Sequence, residues 1–154
     1  MRENESISTI SEITLVTLLN CPVDPDFIAK VFEKIADLGV NVDMISFSPN
    51  QGGSTAISFT IMDEDLGKIL KFTSALREKA QIKPIISSNN CKINIYDENM
   101  VNTPGMAAKI FAAFSSINTD FRIVTTSDVD ISVLVTEADY NDTLKAIQSA
   151  VQKN

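Results

Sequence analysis

The pattern of apolar and polar positions occurs twice along the chain. The run Ala-Lys-Val-Phe at residues 29–32 recurs 79 residues later as Ala-Lys-Ile-Phe at residues 108–111. Beyond a loop that is five residues shorter in the second copy, the separation is 74 residues, and Ile57 aligns with Ile131. A constant separation over long stretches is typical of an internal repeat. The sequence therefore predicts one module that is written twice and covers most of the chain.

The first copy has the spacing of short strands and amphipathic helices. Asp24 is placed to cap a helix that has Pro25 at its first position, and Gly39 is placed to end it. Apolar residues lie at i, i+3, i+4, i+7 and i+10 from Ile28, so this helix buries one face. The predicted elements are a strand at 13–19, this helix, strands at 40–48 and 55–62 around a turn at 49–53, a helix at 63–79 and a strand at 82–86.

The second copy predicts the same order of elements but ends too early. Its elements are a strand at 91–96, a helix capped by Thr103 and Pro104, strands near 120–125 and 129–136, and a helix at 138–151. A fourth strand would start beyond residue 154, and the only unassigned β-like segment is residues 6–10. We therefore expect two ferredoxin-like βαββαβ sandwiches of the α+β class, with the first inserted into the second. The predicted domains are 12–89 and 90–154, the second taking its fourth strand from residues 6–11.

Composition and charge remove several classes of function. The 154 residues carry a net charge of −7 without a basic cluster, which argues against nucleic acid or an anionic membrane as partner. No apolar run reaches the roughly 18 residues of a membrane span, and the polar N-terminus does not resemble a signal sequence, so we expect a cytoplasmic protein. The chain has no histidine, the usual general base, and its two cysteines, Cys21 and Cys91, are interpreted as reduced residues at strand ends.

Other proteins with this element order need residues that the chain does not have in the required places. An RNA-recognition module needs aromatic residues on its central strands and a basic surface. A copper or zinc carrier needs two nearby cysteines in the first loop, where this chain has only Cys21. An acylphosphatase-like enzyme needs an arginine there, and none is present. We therefore expect no cofactor, no metal and no catalytic residue.

Two segments resemble the tandem ACT domains of the aspartokinase regulatory region. They are NVDMIS at residues 41–46, after the first helix, and TTSDVDISV at residues 125–133, in the second hairpin. The similarity spans roughly residues 6–152, and that family also inserts its first ACT domain into its second. The resemblance implies binding of lysine or threonine between ACT domains and inhibition of an attached kinase domain. Some relatives are separate regulatory subunits.

The chemistry of a free amino acid suits the helix starts of such modules. Its carboxylate suits the N–H groups of a helix start, and its ammonium group suits strand carbonyls or an aspartate. The second start is the preferred site, since it keeps the family's Pro-Gly, and by resemblance the opposing wall is the edge strand of a neighbouring ACT domain. The candidate effector-binding residues are Asp24, Asp26, Asn41, Val42, Asp43, Met44, Thr103, Pro104, Gly105, Met106, Asp120 and Phe121.

The same residues also have structural interpretations. Asp24 and Thr103 could serve only as helix caps, and Met44 and Ile45 fit a core better than a ligand contact. Asp26 stands where the family's first module usually has glycine, and its carboxylate would repel a ligand carboxylate from the helix start. In the second module, Asp120 replaces the asparagine that is usual in the family. The first start is therefore the weaker site, and the preferred ligand is open.

The sequence thus predicts an amino-acid-binding regulatory protein that acts as a homodimer and has no chemistry of its own. A kinase catalytic subunit is a possible further partner. The alternative is a degenerate ACT pair that serves only for dimerisation or docking, and an enzyme is the third choice. The sequence leaves open whether the chain is free-standing, a subunit or a piece of a longer kinase.

Overall fold

The computed structural model describes residues 5–152 and divides the chain into two compact units. One unit is Glu12–Ser88, and the other joins the chain up to Ser11 to the chain from Asn89 onwards. The elements, in chain order, are β1 (Glu5–Pro22), α1 (Pro25–Asp37), β2 (Ile45–Phe47), β3 (Ser54–Met62), α2 (Leu66–Ala80), β4 (Lys83–Asp97), α3 (Met106–Ile117), β5 (Phe121–Thr126), β6 (Asp130–Thr136) and α4 (Glu137–Gln152). The predicted α+β class with antiparallel strands is confirmed.

In the unit Glu12–Ser88, α1 and α2 pack on a sheet with the strand order β2-β3-β1-β4. The β1–β3 register pairs Ile13 with Met62 and Leu18 with Ile57. Because side chains alternate faces along a strand, every second residue of each strand reaches the helices. The core includes Val16, Leu18, Ile57, Phe59, Ile35 and Ile69, all at most 1% exposed. Burying one such side chain contributes about 1.5–3 kcal/mol.

The other unit has the strand order β1-β4-β6-β5, with α3 and α4 packed on its core. Its core includes Ile93, Ile95, Val133, Ile110, Phe114 and Ile147, and Ile7 of β1 packs against it. The β4–β6 register runs without a shift from Asn90–Thr136 to Tyr96–Asp130. The β5–β6 pairing has one irregularity, between Phe121 and Ile123.

Two pairs of predicted strands are single long strands in the structure. The predicted strands at 6–10 and 13–19 both belong to β1. The predicted strands at 82–86 and 91–96 both belong to β4, which begins at Lys83. Each long strand contains a left-handed residue at the boundary between the units, Glu12 with φ 59° and Asn89 with φ 62°. A left-handed residue is a local break in a strand, and in each case it falls between the two predicted strands.

The predicted edge strand at 40–48 is much shorter in the structure. Only Ile45–Phe47 is a strand, and the residues before it follow an irregular path. Asp43 and Met44 both bond to one residue of β3: the Asp43 N–H donates to the Thr60 carbonyl at 3.0 Å, and the Thr60 N–H donates to the Met44 carbonyl at 3.1 Å. Two residues opposite one interrupt a regular ladder, so the strand begins only after this bulge.

Both cysteines lie inside their strands, and neither forms a disulfide in the part of the chain that the structure describes. Cys21 is fully buried and Cys91 is 4% exposed. Burial raises the pKa of the Cys21 thiol to about 11, because a thiolate there would lose its hydration. A thiol with that pKa stays protonated near neutral pH and is a poor nucleophile.

Candidate functional site

The start of α1 is already occupied by the side chains of its own chain. Asp24 is extended, with φ −128° and ψ 115°, and its carboxylate accepts the Asp26 N–H at 3.1 Å. Asp26 lies in the first turn and forms an ion pair with Lys30 at 2.7 Å. This neighbouring carboxylate raises the pKa of the Lys30 ammonium group. Two carboxylates therefore stand at the positive end of the α1 dipole, where a ligand carboxylate would have to bind.

The start of α3 is open by comparison. The cap residue is Gly105, with φ 113°, and no side chain caps the helix. The first turn, Met106 to Lys109, contains no acidic residue, and the Gly105 carbonyl accepts the Lys109 N–H at 3.1 Å. The first N–H groups of a helix have no partner within the helix. The helix start at Met106 therefore offers backbone donors without a competing side-chain acceptor.

The prediction that Thr103 caps this second helix was wrong. Thr103 and Pro104 precede the helix and lie exposed outside it, because the helix begins two residues after the predicted proline position. A single 3-10 turn at Glu98–Val101 takes up the chain between β4 and α3. Asp97 stabilises this turn by accepting the Asn99 N–H at 2.8 Å, and it is only 4% exposed. Thr103 and Pro104 therefore belong to a loop that leads into the helix.

Asp97 was missed by the sequence analysis, although it is a carboxylate at the end of β4. An Asp after a strand often hydrogen-bonds the backbone two residues further on, and that tendency could have placed it. Beside it, the Tyr96 hydroxyl donates to the Glu98 carboxylate at 3.0 Å. This hydrogen bond raises the pKa of the Tyr96 hydroxyl. The chain between β4 and α3 thus carries two acidic side chains, Asp97 at the end of the strand and Glu98 in the 3-10 turn.

The segment from Asn41 to Met44 presents few side-chain groups. Asn41 and Asp43 are exposed, Val42 is half-buried against the core of its unit, and Met44 is only 4% exposed. The Met44 side chain is therefore part of the interior, as its structural interpretation had it, whereas Ile45 is 45% exposed and is not core. The hydroxyl of Thr60, opposite this segment, is buried and has no hydrogen-bond partner among residues 5–152. Any ligand contact here would use Asn41, Asp43 or the backbone.

Asp120 and Phe121 lie at the other end of α3 from Gly105. The Phe121 ring contacts the rings of Phe111 and Phe114, each at a centroid distance of 5.5 Å. The Asp120 N–H donates to Asp139 at 3.4 Å, and the Asp120 carboxylate lies 3.3 Å from Arg122. At 1.5 Å per residue, Phe114 is about 12 Å along the helix from its start.

The predicted residues therefore form separate groups within each unit. Asp24 and Asp26 lie at one end of α1, and Asn41 to Met44 follow its other end, about 19 Å away for a helix of this length. Residues 103–106 and Asp120 with Phe121 are separated in the same way by α3. None of the four groups is by itself a complete pocket. In residues 5–152 there is also no cluster of acidic or cysteine side chains that could hold a metal ion.

Comparison with known proteins agrees with this fold. The ACT domain family matches residues 93–151. An aspartokinase of Corynebacterium efficiens is 27% identical over 149 residues, which is 95% of this chain and 35% of that protein. The regulatory subunit of aspartate kinase from Thermus thermophilus superposes with a TM-score of 0.85 at 24% identity, covering 95% of this chain and 97% of that one. Aspartate kinase from Synechocystis has a TM-score of 0.87 at 27% identity over 96% of this chain and 26% of that one.

These similarities confirm the resemblance to aspartokinase regulatory regions. Residues 93–151 match the ACT domain family, and the chain is similar to a part of several aspartokinases along most of its length. The chain spans about a third of the length of the curated relatives that it matches. None of the helices among residues 5–152 combines the length and the apolar character that a membrane crossing requires.

Proposed function

We propose that this chain, as a homologue of aspartokinase regulatory regions, senses a free amino acid of the aspartate family, such as lysine or threonine. The observation that carries the proposal is the open start of α3, where Gly105 leaves the backbone donors without a side-chain acceptor. The carboxylate common to all free amino acids would accept these N–H groups at the positive end of the helix dipole. The role is sensing, and a kinase catalytic part would carry out the chemistry.

The remaining contacts of the ligand need a second protein surface. The α3 start supplies donors for a carboxylate, and the exposed carboxylates of Glu98 and Asp43 are of the sign that attracts an ammonium group. Asp43 and Asn41 belong to a different group from the α3 start. A homodimer, in which a second copy supplies the missing wall, is therefore part of the proposal. A ligand that is held between two chains stabilises both, so that binding and assembly become linked.

Matched ligands test the proposal directly. A ligand that binds only the folded protein must raise the melting temperature. Lysine or threonine should raise it in a concentration-dependent way, whereas lysinamide and threoninamide should not, because they lack the carboxylate that the helix start binds. Calorimetric titration then gives the stoichiometry. Equal stabilisation by the amides would contradict the role of the helix start, and no shift with any amino acid would favour the docking alternative.

A pair of substitutions at Ala107 places the ligand. Ala107 is exposed and is the second residue of α3, the position that Asp26 occupies in α1. Ala107→Asp should weaken binding at least tenfold, since its carboxylate competes for the same donors, while an acidic residue in the first turn stabilises the helix itself. Ala107→Asn has nearly the same size without the charge and should keep most of the affinity. Equal binding by both variants would mean that the ligand carboxylate lies elsewhere.

One observation favours the alternative role as an association module. Three apolar side chains are exposed around α3 and the edge strand β5: Phe111 at 41%, Phe121 at 43% and Ile117 at 37%. Exposed apolar residues beside an unpaired strand edge are typical of an association surface. If no amino acid stabilises the protein while light scattering shows a dimer, this role remains.

A further inference from the structure

The second helix of the first unit is basic, although the protein is acidic. Helix α2 contains four basic residues, Lys68, Lys71, Arg77 and Lys79, and one acidic residue, so its net charge is +3 in a chain of net charge −7. Its counterpart in the repeat is α4. That helix contains three acidic residues and one lysine, a net charge of −2. The positive charge therefore belongs to α2 and has no counterpart in α4.

A groove of about 650 Å³ runs between α1 and α2. Leu38, Phe72 and Ala75 supply apolar surface, and Gly67 leaves room beside them. From Gly67 to Ala75 the groove follows α2 for about 12 Å, or two helical turns. The positive groups that line it are Lys34, Lys68 and Lys71.

Two of these lysines have no acidic partner. Lys68 forms an ion pair with Asp65 at 2.9 Å. Lys34 and Lys71 are exposed, and within the described part of the chain no carboxylate lies within salt-bridge distance of either. Glu64 is the one acidic residue in the lining. The groove therefore combines apolar surface with two lysines that form no ion pair within residues 5–152.

We infer that the α1–α2 groove is a docking surface for an acidic amphipathic helix of a partner protein. An apolar stripe at helical spacing would cover Leu38, Phe72 and Ala75, while acidic residues beside the stripe would pair with Lys34 and Lys71. The groove is too long to be filled by one small anion. An extended polyanion, such as a membrane surface or a nucleic acid, would be repelled by the net charge of −7 beyond the groove.

Binding of two fluorescent peptides, measured by anisotropy, tests this surface. One peptide of about 18 residues carries leucine at i, i+3, i+4 and i+7 with glutamate elsewhere, and the other has the same composition in scrambled order. The amphipathic peptide should bind at least tenfold more tightly, and more weakly as salt is raised, because salt screens charge. Lys34→Glu combined with Lys71→Glu should weaken it at least tenfold. Ala75→Gln, at an exposed position, should also weaken peptide binding at least tenfold, because the longer side chain fills the groove.

The second unit offers a matched control. An equivalent groove of about 670 Å³ between α3 and α4 is lined by Lys109 and Lys145, and also by the carboxylate of Asp142. Lys109→Glu combined with Lys145→Glu alters the net charge by the same amount as the α1–α2 double variant. It should change the peptide affinity less than twofold. The proposal is overturned if this control loses as much affinity as the α1–α2 variant, or if the scrambled peptide binds equally well. It is also overturned if phosphatidylserine vesicles displace the peptide from the groove.

Discussion

The first helices of the two units start in opposite ways. In α1 the Asp24 carboxylate accepts a backbone N–H, and Asp26 adds a second negative charge in the first turn. In α3 the cap is Gly105, and no side chain replaces it. The same element of a repeated module can therefore be closed by its own residues in one copy and left open to an anion in the other. The chemical difference lies in the side chains at each start, and the approach also differs, because a 3-10 turn precedes α3 whereas α1 begins three residues after β1 ends.

The largest expected effect concerns how the second unit is completed. Deleting residues 1–11 should remove the strand neighbour of β4 in that unit together with Ile7, which packs on its core. We expect a loss of several kcal/mol or poor solubility, since ladder bonds and core burial are lost together. Denaturant unfolding of the truncated and full chains measures this loss of stability. As a control, Ile10→Ala, at a 47% exposed position, should lower the free energy of unfolding far less than Ile7→Ala. A truncated chain as stable as the parent would contradict the role of this strand.

The next effect concerns the cap glycine of α3. From the sequence, Gly105→Val would be expected to block ligand binding with the fold intact, but φ is 113° at this position. A β-branched residue is strained there, although a Cβ would meet no neighbouring atom. We expect a cost of about 1–3 kcal/mol in thermal unfolding. Gly105→Asn should cost less, because asparagine tolerates positive φ better. Equal stability of Gly105→Val and the parent would contradict this conformation.

The helix caps themselves give a smaller effect. Asp24→Ala should destabilise the protein by about 1 kcal/mol, because it removes the acceptor of the Asp26 N–H. Thr103→Ala should change stability by less than about 0.5 kcal/mol, because Thr103 is exposed and does not cap α3. Chemical denaturation of the two variants side by side compares the two starts. If Thr103→Ala cost as much as Asp24→Ala, the assignment of Gly105 as the cap would be wrong.

The smallest expected effect is on ligand binding at α1. Asp26→Asn, and Asp26→Gly as in the family, remove the carboxylate that competes with a ligand at this helix start. A weak second binding event should then appear in calorimetry with the amino acid that binds at α3. Lys30→Gln, which removes only the partner of Asp26, should not produce it. If neither Asp26 variant adds a binding event, α1 is not a site and only the second unit senses.

The repeat, the class of fold and the cap of α1 could be predicted because each depends on short-range patterns. Asp24 caps through a bond to a residue two positions away, and apolar spacing shows which face of α1 is buried. The site was predicted less well. Asp97 was missed, and Thr103 was given the role that Gly105 has in the structure. A 3-10 turn between β4 and α3 moves the helix start, and periodicity does not reveal such a turn.

The remaining features depend on residues that are distant in the sequence. Local spacing is enough to specify helices and strands, since neighbours on one face lie within a few residues of each other. The path of Asn41 to Met44 depends on the backbone of Thr60. Phe121 is a candidate ligand contact by sequence, together with Gly105, but its ring packs on Phe111 and Phe114, in the middle and second half of α3. The sequence alone therefore determined which modules are present, and tertiary packing decided which of their residues are close enough to act together, because that depends on contacts across strands and helices.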